Sequence, residues 1–146
     1  MPTSAIDSLI FRNIFGSAEM REVWSDEFRT QKYLDWEAAL ARAEASVGII
    51  SKEAAAEITR VCKVENIDFK RYAEETLNIG YPVLGIVHQI AHLCEGDAGK
   101  YCHWGATTQD ITDSATILQI KASFDVIARE LDRAIAATAK LAREHR

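Results

Sequence analysis

Residues that interrupt helices are scarce in this sequence. Proline occurs only at Pro2 and Pro82, and the 146 residues include seven glycines. Runs in which β-branched and polar residues alternate, which would predict strands, are missing as well. These absences argue against a sheet protein and predict an all-α fold with long helices.

Cysteine is also scarce. The three cysteines, Cys62, Cys94 and Cys102, are odd in number and irregularly spaced. A disulfide framework normally uses an even set, whereas free thiols are usual in a reducing compartment. The cysteines therefore predict free thiols and a cytoplasmic location.

An excess of positive charge and a long apolar run are both lacking. The net charge is −5, whereas a nucleic-acid surface normally carries a basic excess. No apolar run approaches the roughly 18 residues that a membrane span needs. The first residues, MPTSAIDSLIF, have neither the basic nor the apolar region of a signal peptide. We expect no nucleic-acid partner and no membrane partner.

Helical periodicity covers most of the chain. Good helix formers with an apolar stripe at spacings of three and four predict a helical stretch over 17–47, with a restart at Ser25. Glycine commonly follows a helix end, and Gly48 is expected to end this stretch. Three shorter helices are predicted to begin at Ser51, Asp68 and Pro82.

The end of the chain has a different pattern. After Gly105 no glycine or proline interrupts a helix that we expect to run about 38 residues, or roughly 57 Å. Its apolar residues alternate at spacings of three and four, as in a seam that packs against other long helices. This apolar seam consists of Ile117, Ile120, Phe124, Ile127, Leu131, Ala134, Thr138 and Leu141. The sequence therefore predicts a helical amino-terminal domain over 1–106 and the start of a long-helix bundle over 107–146.

The stretch HWGATTQD concentrates hydrogen-bonding groups just before this helix. Thr107 and Asp110 have the spacing of a capping box, and Gly105 allows the chain to turn into the helix. The first N–H groups and the helix dipole favour an anion at such an end. Two interpretations stay open on spacing alone. One is a cap that binds nothing; the other is an anion site to which the Thr108 hydroxyl and the His103 ring also contribute.

A longer segment around this stretch resembles a known family. HWGATTQDITDSA, leading into a long helix, resembles the first signature region of the aspartase/fumarase superfamily, a Thr-Ser/Thr-x-Asp element often preceded by His-aromatic-Gly. The upstream segment AEMREVWSDEFRTQKYLDWEAALARAEASVGII is similar to the amino-terminal helices of its cycloisomerase branch. The likeness is greatest to 3-carboxy-cis,cis-muconate cycloisomerases and adenylosuccinate lyase-like proteins. It implies a small amino-terminal domain and a central helix bundle, assembled as a homotetramer.

The resemblance implies a lyase or a cycloisomerase. Members of the superfamily remove a proton next to a carboxylate and expel a group from the neighbouring carbon by anti β-elimination, or run the related addition. The carbanion is delocalised into an aci-carboxylate, and preorganised donors stabilise its oxygens more than those of the ground state. The expected substrate is a small di- or tricarboxylate, and we expect no cofactor.

The resemblance also implies roles for individual residues. Thr107 and Thr108 are expected to bind a substrate carboxylate, His103 is expected to bind a more distal part, and Gly105 and Asp110 are expected to support the loop. The expected substrate-binding residues are therefore His103, Thr107, Thr108 and Gln109.

Two departures from the family pattern matter. Adenylosuccinate lyases carry a His-Asp pair before the fourth helix, and here NIGYPVLG places Tyr81 and Pro82 there. This favours the cycloisomerase branch and makes Asn78 and Tyr81 either site candidates or a structural lead-in to the helix. The Gly-Ser-Ser-x-Met-Pro-x-Lys-x-Asn-Pro loop that supplies the serine base is absent, so no catalytic residue is assigned. We interpret the chain as the amino-terminal part of a longer enzyme, inactive alone.

Two alternative functions remain. The first is an adenylosuccinate lyase-like C–N lyase that releases fumarate. The second is a non-catalytic helical module that assembles through the apolar seam. A zinc site is not predicted, because His88 and His92 lie four apart without a C-x-x-C pair or an H-E-x-x-H motif.

Other conspicuous side chains have structural interpretations. Trp24 and Trp36 are expected to anchor the core, and so is Trp104 if the HWGATTQD stretch is only a cap. Glu37 and Glu44 lie seven residues apart and are expected on a solvated helix face without a catalytic role.

Overall fold

The computed structural model describes residues 4–145 and is built from helices. Within that range there is no β-strand, which confirms the all-α prediction. The α-helices are α1 (Arg12–Phe15), α2 (Ala18–Val23), α3 (Asp26–Ser46), α4 (Lys52–Val61), α5 (Phe69–Ile79), α6 (Leu84–Leu93) and α7 (Thr108–Glu144). Two 3-10 helices lie at Val64–Asn66 and Ala98–Tyr101.

The chain forms two compact units. One unit combines the residues up to Ser25 with those from Ile117 onward, and the other is Asp26–Thr116. The 37-residue helix α7 contributes its first turns to the second of these and the remainder to the first. The domain boundary that the sequence predicts between residues 106 and 107 stays a prediction.

Local capping sets the helix ends as the sequence predicts. The Ser51 hydroxyl accepts the Ala54 N–H at 3.1 Å, and the Asp68 carboxylate accepts N–H groups of the first turn of α5. Gly80 ends α5 in a left-handed conformation, with φ 89°. The predicted start at Pro82 is two residues early, because Pro82 lies in the connection and α6 begins at Leu84.

The core of the unit Asp26–Thr116 is a single cluster of aliphatic side chains from successive helices. Leu34, Ile58, Ile90 and Ile111 each have 0% of their surface exposed. Ile111 lies in the second turn of α7, so the beginning of the longest helix is held by the same core that α3, α4 and α6 share. This packing fixes the segment that precedes α7.

Polar contacts join the two chain segments of the other unit. Gln119 is fully buried and its amide donates to the Val23 carbonyl at 2.8 Å. The Trp24 indole N–H donates to the Ser123 hydroxyl at 3.0 Å, although 42% of the Trp24 surface is exposed. Because so much of its surface is exposed, Trp24 is not a core anchor, and that expectation is wrong. A hydrogen bond fixes its indole at one end.

Most large side chains of the apolar seam are exposed. Ile117 and Phe124 each expose 63% of their surface, and Leu131 exposes 57%. Among residues 4–145, no helix is both long enough and apolar enough to cross a membrane. The seam is thus an apolar surface without a partner in the described part of the chain.

Gly99 lies close to the backbone of α6. A Cβ atom there would lie 2.3 Å from the Ala91 carbonyl oxygen of α6. We expect Gly99→Ala to lower the free energy of unfolding by about 1–3 kcal/mol, because the backbone must move apart.

Urea denaturation of Gly99→Ala measures this loss. Gly16→Ala is the matched control, because its Cβ would meet its nearest atom at 3.9 Å and its backbone is extended. The control should change stability by less than about 0.5 kcal/mol. Equal losses in the two variants would contradict the close approach.

Candidate functional site

The N-terminus of α7 uses only half of the predicted capping box. The Thr107 N–H donates to the Asp110 carboxylate at 2.9 Å, as the box requires. Within residues 4–145, the hydroxyls of Thr107 and Thr108 form no hydrogen bond. The first N–H groups of an α-helix also lack intrahelical acceptors. Several donors are therefore available at this helix end.

Thr107 and Thr108 line a small cleft. Its volume is about 180 Å³, and its lining includes four residues with hydrogen-bonding side chains, Tyr81, His103, Thr107 and Thr108. The remaining lining is apolar and consists of Val83, Leu84, Val87 and Ala106. The structure thus brings together four of the residues that the sequence analysis considered, one from the connection before α6 and three from the segment that leads into α7.

Gln109 and Asn78 do not line this cleft. The Gln109 amide donates to the Asp113 carboxylate at 2.5 Å on the exposed side of α7, and Asn78 is exposed near the end of α5. Their assignment to the site stays a prediction. Gly105 has φ 67°, which supports the turn into α7 that its position predicts.

Trp104 differs from its expected place. It exposes 54% of its surface and makes an edge contact with Tyr101, with ring centroids 6.2 Å apart. The interpretation of Trp104 as a core residue is therefore wrong. Trp36 packs against the core cluster, as expected, and its ring centroid is 5.8 Å from that of His103.

His103 is held by a buried carboxylate. Its backbone N–H donates to Glu37 Oε2 at 3.1 Å, and its ring Nδ1 lies 2.5 Å from Glu37 Oε1. Glu37 exposes 1% of its surface. His103 has φ 58°, and among the described residues it is the only one other than glycine with a positive φ. Such a conformation costs about 1–2 kcal/mol per residue, which the two hydrogen bonds offset.

The same contact changes the acidity of the ring. The hydrogen bond to Glu37 raises the pKa of His103 above its usual value, burial opposes this, and the charges of Glu37 and Asp110 add to the increase. A larger share of His103 is therefore protonated near neutral pH than for a solvated histidine. A cationic ring at the cleft favours an anionic ligand.

The sequence analysis missed Glu37. It placed Glu37 and Glu44 on a solvated face, but both are buried, with 1% and 6% of their surface exposed. A signal was available, because both lie at spacings of three from the buried stripe of Leu34 and Ala41 on α3. Burial also raises the pKa of Glu44, and the charge of Glu37 adds to this.

The thiols and histidines elsewhere form no comparable site. Cys62, Cys94 and Cys102 are free, and burial raises the pKa of Cys62 to about 12, which keeps it a thiol. In the described residues, no group of three or more His, Cys, Asp or Glu side chains is arranged to hold a metal ion.

The structure is that of an all-helical protein with a cleft and unpaired donors at the N-terminus of its longest helix, and comparison with known proteins narrows the class of protein. A family described as Lyase matches residues 16–146. The chain belongs to this lyase family within the aspartase/fumarase superfamily. The resemblance to the amino-terminal portion of these enzymes is thereby confirmed.

Individual relatives agree with this assignment. An uncharacterized protein of Schizosaccharomyces pombe is 66% identical over 146 residues, 100% of this chain and 33% of that protein. Trans-aconitate decarboxylase 1 of Mycosarcoma maydis is 51% identical over 134 residues, 92% of this chain and 27% of that protein. The crystal structure of fumarate lyase from Mesorhizobium sp. BNC1 has a TM-score of 0.85 and 43% identity, covering 90% of this chain and 31% of that one.

Adenylosuccinate lyases and 3-carboxy-cis,cis-muconate cycloisomerases are also among the similar proteins. The chain spans about a third of the length of the relatives it matches.

The capping contact at α7 can be tested directly. Asp110→Ala removes the acceptor of the Thr107 N–H and should lower the free energy of unfolding by about 1 kcal/mol. Asp113→Ala is the control, since Asp113 is exposed and its carboxylate accepts the Gln109 amide on the surface of the same helix. Thermal unfolding followed by circular dichroism compares them, and a loss in Asp113→Ala as large as that in Asp110→Ala would refute the capping role.

Proposed function

We propose that this chain supplies the carboxylate-binding part of a lyase or cycloisomerase active site, with chemistry most like that of 3-carboxy-cis,cis-muconate cycloisomerase. The observation that carries the proposal is the cleft at the N-terminus of α7. This cleft is lined by Thr107 and Thr108, whose hydroxyls are unpaired, and by His103. The pKa of the His103 ring is raised above its usual value. Donors and positive charge directed at one cleft suit a carboxylate.

The proposed chemistry is anti β-elimination or the reverse addition. A base removes a proton from the carbon next to the substrate carboxylate, and the electron pair moves into that carboxylate as an aci-carboxylate. The hydroxyls of Thr107 and Thr108 then stabilise oxygens that carry more charge than in the ground state, which lowers the barrier. His103 binds a second, more distal carboxylate. The proton-abstracting serine loop of the superfamily is not part of this sequence, and we assign the base to none of its residues.

The names of the relatives support the substrate class. Trans-aconitate decarboxylase 1 and 3-carboxy-cis,cis-muconate cycloisomerase are named for unsaturated tricarboxylates, and fumarate lyase for a dicarboxylate. We propose a di- or tricarboxylate substrate of this kind, acted on in the cytoplasm. An adenylosuccinate lyase-like C–N lyase that releases fumarate would use the same carboxylate contacts, so substrate turnover by the full-length enzyme separates the two.

The threonine contacts can be tested on this chain. We expect Thr108→Val to weaken binding of fumarate and trans-aconitate by about tenfold, because the isosteric side chain removes one hydroxyl donor. Thr116→Val is the matched control on the same helix, because the Thr116 hydroxyl donates to the Thr112 carbonyl and is exposed.

Affinity is measured by NMR titration of the backbone amides at positions 107 and 108, well below the melting temperature. Equal affinities of Thr108→Val and the wild-type chain would contradict the assignment of the hydroxyl. No carboxylate binding by the wild-type chain would overturn the proposed function.

A second proposal concerns assembly. The apolar seam of α7 exposes large side chains at the spacing of a helix bundle, with Phe124 at 63% and Leu131 at 57%. Exposed apolar surface of this kind marks an interface. We propose that the seam mediates assembly of copies of this chain, as tetramers in the full-length enzyme.

Analytical ultracentrifugation tests the assembly. The wild-type chain should self-associate, and Phe124→Glu with Leu131→Glu should yield monomers, because buried charge opposes the interface. Lys121→Glu with Asp125→Lys alters exposed charges of α7 outside the seam and should leave the association unchanged. A monomeric wild-type chain would refute the proposal.

A further inference from the structure

One buried carboxylate controls both the backbone and the ring of His103. Glu37 Oε2 accepts the His103 N–H at 3.1 Å, while Glu37 Oε1 lies 2.5 Å from ring Nδ1. A carboxylate that contacts the same residue at two points restricts the ring rotation as well as the backbone. With Glu37 1% exposed and the His103 side chain 17% exposed, little water competes for these contacts.

The pairing leaves one ring nitrogen for a ligand. Because Nδ1 contacts Glu37, it carries the proton in the neutral ring, and Nε2 has no hydrogen-bond partner within residues 4–145. His103 lines the same cleft as Thr107 and Thr108. When the ring is protonated, Nε2–H is therefore a cationic donor beside the two hydroxyls.

Charged groups from each neighbouring segment act on this ring. Glu37 comes from α3 and Asp110 from the first turn of α7, and both charges favour the protonated ring. Tyr81, from the connection before α6, also lines the cleft. The Trp36 ring centroid lies 5.8 Å from that of the His103 ring. Of these groups, Glu37 is the one that contacts the ring through a hydrogen bond.

We propose that Glu37 is a positioning residue that orients His103 and keeps its Nε2–H directed as a donor to a substrate carboxylate. The inference rests on the proposed function, since it assigns the ligand of His103 as a carboxylate. Glu37 itself acts through His103 and is not assigned a contact with the substrate.

Glu44 provides a matched comparison on the same helix. It lies seven residues after Glu37, exposes 6% of its surface, and its Oε2 atom has no hydrogen-bond partner within residues 4–145. It does not line the cleft. Glu44→Gln therefore makes the same chemical change in a similarly buried place without touching His103.

The test compares Glu37→Gln and Glu44→Gln with the wild-type chain. NMR records the titration of the His103 ring, and fumarate is the probe ligand, followed at the Thr107 and Thr108 amides. A glutamine has only one acceptor oxygen, so Glu37→Gln loses one of the two hydrogen bonds and the negative charge. We expect it to lower the pKa of His103 toward the usual value and to weaken fumarate binding about tenfold near pH 7.5.

Glu44→Gln should change neither the His103 titration nor the fumarate affinity. If Glu37→Gln leaves both at the wild-type values while the wild-type chain binds fumarate, the inference is wrong and the proposed function stands. If the wild-type chain does not bind fumarate or trans-aconitate, the proposed function fails and the inference fails with it.

A measurement on the wild-type chain covers the case in which Glu37→Gln does not fold. The ¹⁵N shifts of the His103 ring above its pKa report which nitrogen keeps the proton. Protonated Nδ1 supports the pairing with Glu37. Protonated Nε2 with bare Nδ1 overturns it, because a carboxylate cannot then accept from Nδ1.

Discussion

A buried carboxylate loses its hydrogen bonds to water when the chain folds, and it must replace them from the protein. Within residues 4–145, Glu37 replaces them with two hydrogen bonds to His103, which lies 66 positions further along the chain. The contact connects α3 to the segment just before α7. Because one acceptor oxygen holds the backbone and the other holds the ring, this contact fixes the chain direction as well as the side chain.

The site at the N-terminus of α7 depends on that contact. His103 has a left-handed backbone, as Gly105 does two residues later, and together they turn the chain into the helix. Ile111 in the second turn of α7 is fully buried in the core that α3 also forms, so both ends of the turn are anchored. This support fixes the backbone of Thr107 and Thr108, and electrostatic preorganisation of the proposed site would require such a fixed backbone.

The features that could be predicted from the sequence are those that depend on residues close together in the chain. The caps at Ser51 and Asp68, the end at Gly80 and the uninterrupted helix α7 follow from local chemistry. The partner of Glu37 could not be predicted in that way, because periodicity indicates which face of a helix is buried and not which distant residue meets it. Trp104 was misplaced for a similar reason, since an indole in a loop has no periodic pattern that indicates its burial. Family resemblance directed attention to Thr107 and Thr108, and the structure adds the cleft that they share with His103.

The presence of two buried glutamates on α3 needs a physical reason. Burying a carboxylate costs free energy that an aliphatic side chain would not, and replacing buried ionic groups with apolar ones is often neutral or stabilising. At Glu44 one oxygen has no partner, and burial raises its pKa, so this cost is evident. Glu37, in contrast, contacts His103, whose backbone is left-handed and whose pKa is raised. His103 also lines the cleft that holds the unpaired threonine hydroxyls. Strain and shifted acidity concentrated at one cleft are typical of sites that bind or react. We therefore explain the burial of Glu37 by the proposed ligand site of His103 rather than by stability.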